Sequence, residues 1–374
     1  MNTPTPHSFT LPQLLASDGP ACLIIKAQFD PLGDQDRFQP AGFPEMGHVI
    51  YDAPRTDEMG KSTAPEKVCI VDSAASMANH LEALCFANPA AAILHPDLNG
   101  LPYVRCVTDD ANGQHTRLIC TTLTEGHRIA SDYFLRGRLN NRSLREELRH
   151  QFGIVEISRD ETYFITPENW WTIYTTVFRY DPNSLVHGVL FAKEQIKVSR
   201  LLTAHLEAFG AARVGSAGVK FDRLGRTTSG QPIFSKDEET AHRIEAIFLI
   251  DLGLLRSYGH NVNGLNGSQK RFLLELALWK VQRMLATPFR FRSGCHLRCV
   301  NRHYTTEDEA VVLNPEAFGL DIQAAIRACN FGENPVNDVY YPANELFNPQ
   351  TASDVVAAET GAGGTEEKSD QPEA

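Results

Sequence analysis

Apolar residues in this chain fall into two patterns, short runs of strand length and longer stretches with helical spacing. ACLIIKAQF (21–29) is a compact apolar run and reads as a strand. Further strand candidates are 117–123, 171–179, 185–192, 245–252 and 288–299, and helix candidates are 72–87, 140–150, 198–209 and 268–286. In the first of these helices Ala74, Met77, Ala78, Leu81, Leu84 and Cys85 share one side of a helical wheel, a core-facing stripe. It begins directly after Asp72-Ser73, either of which can cap the free backbone N–H groups of the first turn. Strands interleaved with two long helices predict an α+β fold of the ferredoxin-like type with large insertions. The longest insertion follows the first strand, where residues 30–66 are rich in Gly, Pro, Asp and charge. Irregular stretches of that length usually carry function or move.

No linker or internal repeat divides residues 21–350, so one elaborated domain is expected, preceded by an N-terminal extension (1–20) in which Phe9, Leu11, Leu14 and Leu15 could dock. Residues 351–374, rich in Gly, Ala and acid, lack large apolar side chains and read as a disordered acidic tail. No apolar run reaches the roughly 18 residues of a membrane span, and MNTPTPHSFTLPQ has neither the basic nor the apolar region of a secretion signal. Cys22, Cys69 and Cys120 lie within apolar runs, as reduced core thiols do. A cytoplasmic protein without membrane contact is the expectation.

Net charge is −11, which at first sight disfavours a nucleic-acid partner. The charge is uneven, however. Residues 270–302 hold eight bases against one acid, and 193–226 hold seven against three. Local basic stripes, and not the total, decide whether a phosphate backbone can be held. Opposite the core stripe of the 72–87 helix lie Asp72, Ser73, Ser76, Asn79, His80 and Ala83. A solvated face would carry Lys and Glu; these short hydrogen-bonding groups suit close approach of a ligand, a nucleic-acid backbone or another loop. Asp72 is the discordant member, read as a cap or a sugar contact.

Other motifs argue mainly by exclusion. Ser, His and Asp at 72–80 lack the G-x-S-x-G turn of a hydrolase nucleophile. Cys295, Cys299 and His303 miss zinc-site spacing, and in a strand the two cysteines would stand about 13 Å apart. GSAGVKFDRLGRTTSGQP (215–232) and GLNGSQKR (264–271) both miss the P-loop pattern. The first is a basic loop or hairpin carrying Lys220, Arg223 and Arg226; the second is a turn in which Ser268 caps a long helix. In FRFR (289–292) alternation puts Phe289 and Phe291 inward and Arg290 and Arg292 outward, where they could meet phosphates. Arg136, Arg138 and Arg142 are weaker candidates at the start of an amphipathic helix.

Several blocks, in this order, resemble one family: RFQPAGFPEMGHVIYDAP (37–54), VCIVDSAASMANHLE (68–82), DPNSLVHGVLFAKEQIKVSRLLTAHLEA (181–208), SAGVKFDR (216–223) and RFRSGCHLR (290–298). They look like the backbone subunit of type I-G (formerly I-U) CRISPR Cascade, in the Cas-seven branch of the RAMP superfamily. The resemblance implies a modified ferredoxin-like, RNA-recognition-motif palm with large finger and thumb insertions. It implies no enzymatic activity and no cofactor or metal. Protomers would join head to tail along CRISPR RNA and hold the guide for pairing with target DNA. The partners would be other Cascade subunits and a recruited helicase-nuclease. The expected RNA-binding residues are Arg37, Gln39, Ser73, Ser76, Asn79, Lys193, Arg200, Lys220, Arg223, Arg226, Arg290 and Arg292. An aromatic pair for base stacking on the sheet is not evident. The alternative is a RAMP-type endoribonuclease using His80, His187 or His205 as general base.

Overall fold

The computed structural model describes residues 7–43, 47–88, 91–110, 112–156, 163–219 and 233–347. The acidic 351–374 and basic 220–232 stretches lie outside the described residues. The main sheet has seven antiparallel strands. They are β1 (Cys22–Pro31), β3 (Ile50–Ala53), β4 (Glu66–Asp72), β5 (Leu202–Phe209), β8 (Arg243–Asp251), β9 (Phe289–Arg292) and β10 (Cys295–Thr306), in the spatial order β9-β10-β1-β8-β5-β4-β3. Period-two alternation builds its inner face. Leu23, Ile25, Ala27 and Phe29 of β1 stand opposite Ile250, Phe248, Ala246 and Ile244 of β8, and all eight are buried.

Four helices pack near this sheet: α1 (Ala74–Ala83), α3 (Asn169–Tyr180), α4 (Asn183–His187) and α5 (Gly267–Ala286), with α2 (Leu144–Phe152) against α3 and α6 (Ile322–Cys329) against α5. A short helix at Leu11–Leu15 docks on α5, its Leu11 and Leu14 fully buried. A mixed five-stranded sheet includes Val104–Thr108 and Arg117–Thr121, with Asn337–Tyr340 parallel to the former. Between β5 and β8 a long hairpin projects, formed by β6 (Ala212–Val219) and β7 (Ile233–Thr240), and β2 (Arg37–Phe38) pairs with β7 at its base. The chain is thus α+β, and among the described residues no helix is long and apolar enough to cross a membrane.

Five expectations are revised: residues 185–192 open in α4 and become strand only at Val189–Phe191, Asn266 rather than Ser268 caps α5 by accepting from the Gln269 N–H, and three further segments differ. Residues 198–209 contain a strand, β5, because Leu202, Ala204, Leu206 and Ala208 alternate into the core; pairing with β4 and β8 overrides the helix propensity of Leu, Ala and Glu. Residues 171–179 lie in a helix, since Ile173, Thr176, Val177 and Tyr180 bury at helical spacing despite their β-branched and aromatic character. The 288–299 stretch is a hairpin, broken at Ser293-Gly294, where Gly294 takes φ +78° and a Cβ would come within 3.1 Å of Gln39. The 30–66 insertion is partly ordered into β2, a two-residue ladder at Gly42–Phe43 and Gly47–His48, and β3.

A buried polar cluster ties the helices together. Arg128 grips Glu82 of α1 through two bonds of 2.7 and 2.9 Å, and Asn183 Nδ2 donates to the same carboxylate at 2.6 Å. Lys280 of α5 donates to Asn183 Oδ1 and meets His187 Nε2 at 3.0 Å. Arg128 holds φ at +53°, a strained value for a non-glycine residue that these contacts stabilise. Asp181, also fully buried, accepts from Ser184 at 2.6 Å. Burial pushes its carboxyl up to about 6, outweighing the lowering effect of the Ser184 bond and of the Arg128 and Lys280 charges.

The folded state therefore binds the Asp181 proton more tightly than the unfolded chain does. Its penalty is absent below about pH 4, grows between about pH 4 and 6, and is full above that range. Asp181→Asn should raise stability at pH 7.5 by roughly 2–3 kcal/mol and leave it unchanged near pH 4, measured by denaturant melts at both pH values. Destabilisation at pH 7.5 would contradict this.

Candidate nucleic-acid interface

The residues expected to meet RNA gather mainly where the sheet curls back on itself. Arg292 closes β9, at one edge, and Asp72 closes β4, one strand from the other edge. Five strand spacings in a flat sheet would separate those strands by about 24 Å. Instead, Arg292 Nη2 lies 2.6 Å from Asp72 Oδ2. Residues 39–41 lace the same closure: Gln39 N–H donates to the Gly294 carbonyl, and Ala41 N–H donates to the Val71 carbonyl. Arg292 Nη1 bonds the Gln39 and Val71 carbonyls at 3.1 and 3.0 Å.

Helix α1 starts at this junction. Ser73 is its cap, accepting from the Ser76 N–H at 3.3 Å, so Asp72 is freed from the capping role. Asp72 is fully buried, and its Oδ2 meets both Arg292 Nη2, at 2.6 Å, and His80 Nε2, at 2.9 Å. Burial raises its pKa, but the hydrogen bonds from His80 and Ser76 and the Arg292 charge outweigh that and hold the carboxyl below the usual range. His80 also sits edge-on to Phe289 and Phe291, with centroids 5.5 and 5.4 Å away, which fixes α1 against β9.

Ser76 Oγ approaches His80 at 3.5 Å through the same Nε2 that faces Asp72. A nucleophile–base–orienter chain needs one ring nitrogen for each neighbour, so these three residues do not form one. At this face Ser73 and Ser76 are half-buried, Asn79 is exposed, and Arg290 is exposed on β9 with a bond to Ser293 Oγ. The free backbone N–H groups of the first α1 turn lie at the helix N-terminus, an end that favours anions.

Behind this surface a second polar relay stiffens the insertion. Gln39 Nε2 meets His48 Nε2 at 3.0 Å, and His48 Nδ1 meets the fully buried Glu239 of β7 at 3.2 Å, with Arg213 Nε at 3.3 Å from that carboxylate. Arg37 is exposed nearby and pairs with Glu238 at 2.9 Å. Seven of the expected residues (Arg37, Gln39, Ser73, Ser76, Asn79, Arg290 and Arg292) thus belong to the curled end of the sheet or the segment lacing it. The structure gives Arg292 and Gln39 internal partners, so they position the surface more than they offer free groups to it.

Lys193 and Arg200 lie elsewhere, on a cleft beside the hairpin Val189–Phe191 and Ile196–Val198. Lys220, Arg223 and Arg226 lie outside the described residues. His187 is buried against Lys280, and His205 is exposed on the outer sheet face. Sequence reasoning missed His48, Glu82, Arg128 and Glu239. The His48–Glu239 and Glu82–Arg128 pairs join residues 191 and 46 positions apart, and no local pattern marks an acid for burial. All eight cysteines are free thiols, and burial pushes Cys295 up to about 12, so it stays protonated.

A family model described as CRISPR-associated protein GSU0053 matches residues 23–213, just over half of the 374 residues. No curated protein matches the chain. Among solved structures, a chain of a "CRISPR RNA-guided surveillance complex, pre-nicking" is similar at 11% identity, covering 76% of this chain and 75% of that one. Its TM-score of 0.32 is too low to carry an argument.

Removing the guanidinium would leave Asp72 charged, buried and without its strongest partner. Arg292→Ala should therefore lose roughly 3–5 kcal/mol at pH 7. Because Asp72 has a lowered pKa, its ionised form contributes stability above its unfolded value near 4, and that contribution fades as pH falls through the folded value. The gap between variant and parent in urea melts should accordingly shrink toward pH 3. A gap that is constant with pH would contradict the ion pair as its source.

Proposed function

The chain belongs to the CRISPR-associated protein GSU0053 family, and from that membership we propose that it is a non-catalytic backbone subunit of a type I-G Cascade. In this reading it is a Cas-seven-type member of the RAMP superfamily and joins copies of itself along CRISPR RNA. The guide is held by backbone and shape while its bases remain free to pair with target DNA. Other Cascade subunits and a helicase-nuclease complete the assembly.

The observation that carries the reading is the α1 surface at the sheet closure. Ser73, Ser76 and Asn79 are short, uncharged and accessible, next to the exposed Arg290. Long side chains there would hold a strand away; short ones let a sugar-phosphate backbone reach the helix N-terminus. Two further features agree. Counting β1, β5, β8 and β10 as a core set, their spatial order is fourth, first, third, second, the order of a ferredoxin-like palm. The β6–β7 hairpin, inserted between the second and third, has the reach expected of a thumb or finger.

A second reading, an endoribonuclease for precursor CRISPR RNA, draws on the His80–Asp72 contact of 2.9 Å. It requires His80 to act as a base. Incubation of purified protein with precursor RNA in the absence of metal separates the two: specific cleavage would overturn the scaffold reading.

Under the scaffold reading, Ser76→Leu with Asn79→Leu should weaken guide binding at least tenfold in filter-binding assays, with an unchanged melting temperature. Charge reversal at Arg290, or at Lys220, Arg223 and Arg226, should flatten the dependence of log K on log salt by about 0.7 for each phosphate no longer neutralised. Unchanged affinity and slope in all of these variants would show that neither the surface nor the loop touches the guide.

A further inference from the structure

A cleft of about 1000 Å³ opens beside α4, lined from the 125–145 segment, the 187–200 segment and Tyr341. We propose that it is a binding site for a phosphorylated nucleoside, taken either as a free nucleotide or as one unit of an RNA strand. The assignment stands on the cleft's own chemistry and does not depend on guide binding at α1.

His187 supplies the first argument. It lines the cleft, is 1% exposed, and its Nε2 lies 3.0 Å from Lys280 Nζ. An ammonium can only donate, so Nε2 is the acceptor and the imidazole proton sits on Nδ1. That Nδ1–H is buried and has no partner among the described residues. Buried donors are nearly always paired, so an unpaired one just beneath the cleft wall marks where an acceptor on a ligand, such as a base carbonyl or ring nitrogen, would be matched once the wall gives way to it. Burial, with the Lys280, Arg128 and Arg200 charges, lowers the imidazole pKa well below its usual value and keeps this tautomer neutral.

The walls and rim supply the rest. Val189, Val198 and the 57% exposed Leu190 give an apolar side, and Tyr133, 40% exposed, offers an aromatic ring for a base to lie on. On the rim, Lys197 and Arg200 have no ion-pair partner among the described residues. The rim carboxylates are mostly engaged: Asp132 pairs with Arg145, and Glu345 with Arg138. Gly188, at φ +80°, lets Arg200 close in, since a Cβ there would meet Arg200 Cγ at 2.9 Å. The buried donor and the apolar, aromatic wall match a nucleoside, and the cations at the mouth, without an ion-pair partner among the described residues, match its phosphate. Inorganic phosphate would leave the wall unused, and an apolar ligand would leave the cations unused.

Calorimetric titration of the full chain with AMP, adenosine and a 5′-phosphorylated RNA trinucleotide tests this. AMP or the trinucleotide should bind at least tenfold more tightly than adenosine. Lys197→Glu with Arg200→Glu should abolish that advantage, and His187→Gln should weaken AMP and adenosine alike. Lys197 is exposed and Arg200 half-buried, neither with an ion-pair partner among the described residues, so Lys197→Glu alone should retain the parent melting temperature and keeps the test decisive if His187→Gln or the paired variant misfolds. Binding of AMP identifies a free nucleotide as sufficient; binding of the trinucleotide alone identifies an RNA strand as the source. Absence of binding by either, or equal affinity for AMP and adenosine, would overturn the proposal. Guide affinity measured on Lys197→Glu alone, at a cleft residue not among those expected to meet the guide, separates the two sites: retained guide binding with weakened AMP binding is the expected outcome, and weakened guide binding with intact AMP binding would contradict it.

Discussion

The contact on which the structure depends is the 2.6 Å ion pair between Asp72 and Arg292, which joins strands from opposite ends of the main sheet. Antiparallel sheets twist and coil, but twist alone does not bring distant strands together. Here the closure is fixed by a charge pair, by carbonyls at Gln39 and Val71 that satisfy the same guanidinium, and by a segment laced to both ends. A planar guanidinium holds its donors in a fixed fork, so Nη2 meets Asp72 while Nη1 meets both carbonyls, a geometry that the compact ammonium of a lysine does not impose.

Because α1 begins at the closure, the geometry of the helix start follows from the geometry of the sheet. Asp72 orients His80, His80 packs between Phe289 and Phe291, and Ser73 caps the first turn. Further along the helix Glu82 is locked by Arg128 and Asn183. Both ends of α1 are thus held by buried charge. Such pairs contribute little net stability over a hydrophobic equivalent, but breaking one is severe, so they specify where the helix sits. For a subunit proposed to repeat along RNA, that rigidity would keep the spacing of contacts the same from copy to copy.

Much of this was readable from the sequence where the pattern was local. The α1 stripe of Met77, Ala78 and Leu81, the apolar run of β1 and the 20-residue helix α5 all emerge from periodicity. β5 and α3 were misread in opposite directions, because the buried period prevailed over residue propensity in both. Arg292 illustrates the other limit. Alternation placed it on the polar side of its strand, but only the curl of the sheet reveals that this side meets Asp72, 220 residues earlier in sequence. The polar face of α1 was visible as an anomaly; that it lies at a closure was not. The cleft was invisible, since its lining is drawn from the 125–145 and 187–200 segments and from Tyr341, which are far apart in sequence.

The central claim, that an RNA backbone lies against α1 at the sheet closure, is tested most directly by ultraviolet cross-linking of the protein–guide complex followed by peptide mass spectrometry. The account predicts cross-links in the peptides spanning Ser73–His80 and Phe289–Arg298. Cross-links confined to the outer sheet face around Lys26 and His205, with none in those two peptides, would contradict it.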